Sequence, residues 1–346
     1  MVLESLVLEN FRCHPELHLS GLGPRMAWVG PNGRGKTSIL EAAHVLARVK
    51  SFRTHQNREL IAWGAERFGV AGRFSGGSAT RLKVVWSPEE RVLEADGRPC
   101  PAFRDYWGKF LVAVFQNTDR QLVQGSAALR RQWADGLAAA LDPAYLPALQ
   151  SAQLLLRQKN ALLRQHRPDR AVWDSLTTPL RRHSAVLAAV RGSMTLALAP
   201  LLAASCARLG GGREALTLRL ADETSRQLER SDAELWERES ALRTARLGPH
   251  RDDWEIGIDG RPLRQFGSEG QQKSAVLALR FAEAALIRQR RGLWPLLLVD
   301  DAANELDPPR QEVFWSLLPG DAQVFLATTR AGGIPAAAGF EVAALD

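Results

Sequence analysis

Apolar residues near the start of the chain recur at short, strand-like spacing: Leu3, Leu6 and Leu8, then Leu17 and Leu19, then the run 26–29. Turn formers such as Gly21, Gly23 and Pro24 separate them, so short strands are predicted. After Val29 the period changes. Ile39, Leu40, Ala43, Leu46 and Val49 recur at helical spacing. Strand patterns return at 68–74, 81–86 and 110–115. From about Ser126 to Cys206 the pattern is helical and long; Leu129, Trp133, Leu137 and Leu141 draw one stripe. Pro143, Pro147, Pro168, Pro179 and Pro200 predict breaks between its helices. Strand and helix signals then resume, ending with 296–299 and 324–328. The expected fold class is α/β: one head built from both chain ends, 1–123 and 245–346, with a mainly helical arm inserted at 124–244.

Charge adds a partner to this picture. The chain of 346 residues carries +7, and of its 45 basic residues only six are lysine. Arginine donates two bonds at once to phosphate, so an anionic partner would explain the excess; codon bias would enrich arginine as well. The placement is uneven. Between Ser151 and Pro200 stand Arg157, Lys159, Arg164, Arg167, Arg170, Arg181, Arg182 and Arg191 against Asp169 and Asp174. The stretch 222–239 is acidic in turn. Phosphate contacts are expected from Arg164, Arg167, Arg181 and Arg182, the other reading being that these arginines pair with the acidic stretch.

Cys13, Cys100 and Cys206 show neither a disulfide framework nor zinc spacing, and the seven histidines show no ligand spacing. Glu4 and Glu9 stand where a basic leader would be positive, so no signal peptide is expected. The uncharged stretch 192–207 contains Pro200 and is shorter than the ~20 residues of a membrane span. A cytoplasmic protein without a membrane partner is expected.

The chemistry is concentrated in three motifs. Gly30-Pro31-Asn32-Gly33-Arg34-Gly35-Lys36-Thr37 fits G-x-x-x-x-G-K-[ST], between a predicted strand and a predicted helix. The glycines let backbone N–H groups surround phosphates at a helix N-terminus, Lys36 reaches the β- and γ-phosphates, and Thr37 offers a hydroxyl to Mg²⁺. Ser38 follows as part of the same cradle. A buried apolar strand then ends in Asp300 and Asp301; the first suits the metal, the second a base for the attacking water. Being one methylene shorter than Glu, Asp301 predicts slow hydrolysis. Ser268-Glu-Gly270-Gln271 opens a strong helix and forms a second anion site from a hydroxyl, a glycine N–H and the helix dipole. In ABC-type dimers such an element meets the γ-phosphate held by the other subunit. Asp307, in Asn304-Glu-Leu-Asp307, stands where a loop crosses that dimer interface, and equally where Pro308 and Pro309 need a helix cap.

With these residues the chain resembles the RecF family, over nearly its whole length. Carrying the resemblance are Leu8-Glu-Asn-Phe-Arg12, 30–37, Leu40-Glu-Ala42, Ser51-Phe-Arg-Thr54, Gly248-Pro-His-Arg-Asp-Asp253, Ser268-Glu-Gly-Gln-Gln272 and 300–307. It implies an ABC/SMC-type ATPase head without a long coiled coil, ATP and Mg²⁺ as cofactors, and ATP-dependent DNA binding and homodimerisation. It also implies action with RecO and RecR to place RecA at single-strand gaps next to duplex. By likeness to SMC heads Arg12 lies near the nucleotide, although a salt-bridged surface arginine fits as well. Gln116, after a strand, is the expected sensor of Mg²⁺ and water, the alternative being a surface-loop glutamine. The strand after the acids lacks the histidine of ABC transporters, leaving Thr328 or Thr329 for the γ-phosphate. A transporter-type ATPase subunit and a non-hydrolysing structural DNA-binding module are the competing functions. The segment 248–253 has no role derivable from its residues beyond a turn before a strand.

Overall fold

The computed structural model describes residues 1–345 apart from 77, 213, 304 and 305. The chain forms two compact units. The first comprises 1–119, 208–210 and 279–346; the second comprises 120–207 and 211–278.

Two sheets make the first unit. One is parallel, with strands in the order Glu341–Ala344, Arg25–Val29, Val324–Thr328, Leu296–Asp300, Val112–Gln116. Its three middle strands are almost continuous runs of buried residues, as a parallel sheet covered on both faces requires. The other is antiparallel and six-stranded, running His14–Ser20, Val2–Phe11, Phe68–Ser75, Arg81–Trp86, Arg91–Ala95, Arg98–Pro99. Helix Lys36–Arg48 packs against strands of both sheets, and ten of its thirteen residues are buried. Ile39, Leu40, Val45 and Leu46 therefore join Leu3, Leu6, Trp28, Val70, Leu298 and Phe325 in one core. A helix apolar on most of its faces belongs in such a place.

The second unit is mainly helical: Ala127–Leu141, Tyr145–Leu163 and most of Arg170–Leu209. Pro143 and Pro168 fall between these helices, but Pro147 lies in the first turn of the second, where its missing N–H costs nothing. Pro179 and Pro200 correct the sequence reading, because both lie inside the 40-residue helix. Each removes a backbone bond, at roughly 3 kcal/mol. Burial of Trp173, Leu180, Leu187, Met194, Leu198, Leu202 and Cys206 along one stripe offsets that. At Pro179 the hydroxyls of Thr177 and Thr178 also donate to the Trp173 and Asp174 carbonyls of the preceding turn. This helix is long and apolar enough to cross a membrane, with an 18-residue window of mean hydropathy 1.7. Its buried stripe instead supplies the core of the unit.

A small antiparallel sheet, Arg261–Pro262, Asp253–Ile258, Leu216–Ala221, completes the second unit. Pairing of Leu216–Ala221 with Asp253–Ile258 draws chain beyond residue 244 into it. Residues 245–278, which the sequence pattern groups with the head, thus pack within the helical unit.

Candidate nucleotide site

The parallel register decides what meets at the carboxyl edge of the first unit's sheet. Asp300 lies beside Gln116 on one flank and Ala327 on the other, and Thr328 lies beside Val29, after which the phosphate loop begins. The loop, both acids, the glutamine and the threonine are thereby gathered where parallel sheets place ligand chemistry.

Pro31, Asn32, Gly33 and Arg34 are exposed. Gly33 and Gly35 adopt φ of 86° and 84°, which disfavours any side chain. At Gly35 a Cβ would also lie 2.3 Å from His14 Nε2, so the residue is fixed twice over. Gly35 caps helix Lys36–Arg48 without a side-chain partner, leaving the first amides to a ligand. At Gly30 a Cβ would strike the Leu345 carbonyl at 2.2 Å. Lys36 is buried, and its Nζ donates to the Gly30 and Pro31 carbonyls, both at 2.7 Å. Ser38 is buried one residue beyond Thr37, with Cys13 Sγ 4.0 Å from its Oγ.

Thr37 Oγ1 donates to Asp300 Oδ1 at 2.7 Å. Burial raises the Asp300 pKa; the Thr37 bond opposes this and the Asp301 charge adds to it. A cation beside Asp300 would offset both its burial and the Asp301 charge. Asp301 has φ of 52°, a left-handed conformation that Asp tolerates, and its N–H donates to the Ala327 carbonyl at 3.0 Å. It lines a small recess with Thr328, Ala303, Trp315 and Ile334. The donor set fits a magnesium–nucleotide complex: amides and Lys36 for phosphate, Thr37 and Asp300 for the metal. Bound there, the metal would neutralise phosphate charge.

Gln116 is no loose surface residue. Its N–H and Nε2 donate to the Asp119 carboxylate at 3.1 and 3.3 Å, and Arg280 holds that carboxylate through two bonds of 3.0 and 2.6 Å. Asp119 and Arg280 are residues that the motifs do not reveal, for no local pattern joins positions so far apart.

Arg12 takes up the salt-bridged alternative. Its guanidinium holds buried Glu41 through bonds of 2.9 and 2.7 Å and donates to the Glu59 carbonyl at 2.8 Å. Glu41 also accepts from Ser51 at 2.5 Å and pairs with Arg53 at 3.5 Å. These contacts link Leu40-Glu-Ala42 with Ser51-Phe-Arg-Thr54. Arg12 thus clamps these segments to Glu41 and to the Glu59 carbonyl. Asp307 caps helix Pro308–Leu317, accepting from the Arg310 N–H at 3.0 Å; Asn304 and Glu305 lie outside the described residues.

The second half-site belongs to the second unit. Gln271 Oε1 accepts from the Ser268 N–H at 2.8 Å, and Ser268 Oγ accepts from the Gln271 N–H at 3.3 Å. This reciprocal cap begins helix Glu269–Arg291. Ser268 is exposed, Gly270 and Gln271 partly so.

The comparisons with known proteins agree with this layout. No family model matches the chain. The DNA replication and repair protein RecF of Synechococcus sp. (strain JA-3-3Ab) is 35% identical, over 97% of this chain and 93% of its own length. That of Leptospira interrogans serogroup Icterohaemorrhagiae serovar Lai (strain 56601) is 32% identical, over 96% and 93%. The chain belongs to the RecF family. In fold it is similar to the recombination mediator protein RecF-ATP of the RecFOR pathway, with a TM-score of 0.87 at 22% identity over 96% of this chain and 93% of that one. The Smc head bound to the C-winged helix domain of ScpA follows at 0.56 and 16%, covering 96% and 91%. The RecF fold is therefore an ABC/SMC-type head carrying a helical arm.

On this RecF arm the basic residues divide into two groups. Arg164, Arg167 and Arg182 are exposed. Arg181 is not available to a partner and corrects the sequence reading: it pairs with Asp232 at 2.7 Å and donates to the Leu228 and Arg230 carbonyls at 2.9 and 2.5 Å. Lys159 pairs with Glu239 at 2.8 Å, both fully buried, and Arg191 with Asp135 and Asp252 at 2.6 Å each. Part of the basic excess is thus answered inside the unit, including by the acidic stretch.

Proposed function

We propose that this RecF-family chain is an ATP-dependent DNA-binding protein of recombinational repair and a slow, DNA-stimulated ATPase. With Mg²⁺-ATP bound at 30–38 it forms a head-to-head homodimer, Ser268, Gly270 and Gln271 of each copy completing the site of the other. Asp307 lies at that interface as well as capping its own helix. The contact between Thr37 and Asp300 carries the reading, since it joins the phosphate loop to the acidic strand as a metal-dependent nucleotide site requires. In this mechanism Lys36 leaves the loop carbonyls for phosphate, Gln116 orients the attacking water from its fixed Asp119 mount, and Asp301 accepts the water's proton.

Arg164, Arg167 and Arg182 contact the DNA backbone without reading its sequence. The chain acts in the cytoplasm at the nucleoid, with RecR and RecO, to load RecA at single-strand gaps beside duplex. Phosphate release by the purified chain, with and without gapped duplex, tests this. Stimulation by DNA is expected; hydrolysis that ignores DNA, or none under any condition, overturns it.

A further inference from the structure

Nucleotide chemistry leaves the turn at 248–253 without a role, and its charges are unevenly answered. Asp252 is fully buried; it accepts from Arg191 Nη1 at 2.6 Å and from the Thr224 N–H at 2.8 Å. Asp253 receives Arg130 through two bonds of 2.8 Å. Both carboxylates of the turn thus serve arginines of the long helices, whereas Arg251 is set among cations. Arg131 reaches the same turn, donating to the Asp252 carbonyl at 3.0 Å. Arg246 stands five residues before Arg251, its N–H held by Glu239 Oε1 at 2.6 Å.

The Nε atoms of Arg246 and Arg251 are buried with no hydrogen-bond partner among the described residues. Burial and repulsion from Arg246 and Arg131 lower the Arg251 pKa, against attraction from Glu223. Glu223 lies on helix Glu223–Leu228, which packs on the turn. That carboxylate is shared, accepting from Gln227 at 2.6 Å and lying 3.8 Å from Arg226. His250 adds no charge: burial, Arg251 and Arg131 push it down to about 4 against its bond to the Ala245 carbonyl.

We propose that Arg131, Arg246 and Arg251 form a binding site for a phosphate group, carried in the DNA-bound state by the backbone. The proposal rests on the DNA-binding reading only for that carrier. A phosphate among three guanidiniums turns mutual repulsion into attraction, met through their terminal N–H groups. Arginine suits this better than lysine, because its fork keeps the donors in a fixed plane.

The test is the double variant Arg246→Gln, Arg251→Gln, titrated against labelled duplex over a salt series. Each lost contact should flatten the log–log salt slope by ~0.9 and weaken all sequences alike. Arg251→Lys keeps the charge and should keep the slope. Without DNA the double variant should melt no lower than the parent, since removing like charges relieves repulsion; a Tm several degrees lower marks a structural role and overturns the proposal.

Free phosphate is examined in a Lys36→Ala background, which disables the loop. Inorganic phosphate at constant ionic strength should raise Tm there, and adding the two Gln substitutions should abolish the rise. If wild-type protein binds no DNA, the DNA reading fails and this measurement alone decides. A phosphate effect lost in the variant, beside an unchanged or absent DNA response, keeps the site and assigns it a free phosphate. An unchanged slope with no phosphate effect overturns it.

Discussion

Thr37 Oγ1 and Asp300 Oδ1 lie 2.7 Å apart, although 263 positions separate them in the chain. The phosphate loop and the acidic strand are therefore parts of one device, and damage to either should silence it. Lys36→Met should abolish hydrolysis, as it removes a cation whose charged hydrogen bonds count for ~1.5–3 kcal/mol each. Asp300→Asn should leave weak nucleotide binding and lose most of its dependence on Mg²⁺. Phosphate release and binding of a fluorescent nucleotide measure both; an undiminished rate in Lys36→Met would overturn the site assignment.

Dimerisation is the second expectation. A two-fold arrangement completes both sites at once. Ser268→Arg should leave nucleotide binding intact and keep the chain monomeric with ATP, since Ser268 is exposed and its cap is a local matter. Asp301→Asn should bind ATP and associate, yet hydrolyse slowly, so that the dimer persists. Sedimentation with saturating ATP decides: a wild-type monomer refutes the mechanism.

Much of the nucleotide site is legible in the sequence because its parts are short runs of adjacent residues. The loop geometry depends on glycines within one turn, and the two acids end one apolar strand. Gln116 is placed by its strand, but its mount is not, because Asp119 and Arg280 meet only through folding. For Arg12 and Arg181 the sequence leaves an internal ion pair and an outside partner both open, and only folding names Glu41 and Asp232. A charge says nothing of whether its partner is solvent, nucleic acid or another part of the chain. The arm helix misleads for a different reason: proline weakens a helix locally, whereas a long buried stripe stabilises it over many turns.

A third expectation concerns the pair Arg191 and Asp252. Both are buried, 2.6 Å apart. Breaking a buried pair by removing one charge costs ~3–5 kcal/mol. Asp252→Asn should lie near the lower end, because Arg191 keeps Asp135 at 2.6 Å. Asp253→Asn, at a more exposed pair, should cost less. Urea unfolding followed through the helical signal measures both; equal and small losses would show that the turn does not secure the arm.

Acid sensitivity gives a fourth. His250 is held at about 4, below its ordinary 6.5. The unfolded chain therefore binds more protons between these values, so the contribution to stability is complete above pH 6.5 and is lost as pH falls towards 4. The limiting slope is about 1.36 kcal/mol per pH unit for such a group. His250→Gln, which keeps a donor for the Ala245 carbonyl, should flatten the profile in that window. Parallel curves for the two proteins would mean that His250 titrates alike in the folded and unfolded chain and that burial does not hold its pKa down.

Strand Arg25–Val29 has as neighbours Val324–Thr328 and Glu341–Ala344, and Gln323 bonds the backbone of Leu3 through both its oxygen and its nitrogen. During synthesis this strand must wait unpaired while roughly 300 further residues emerge, about 15–60 s at ribosomal speed. The unit formed by 120–207 and 211–278 has its own sheet and helices and can close meanwhile. The helical unit can thus fold before the parallel sheet of the first unit is complete. On the proposed reading, a copy truncated before Val324–Thr328 would leave the phosphate-loop strand unpaired and should not compete with the finished protein for nucleotide.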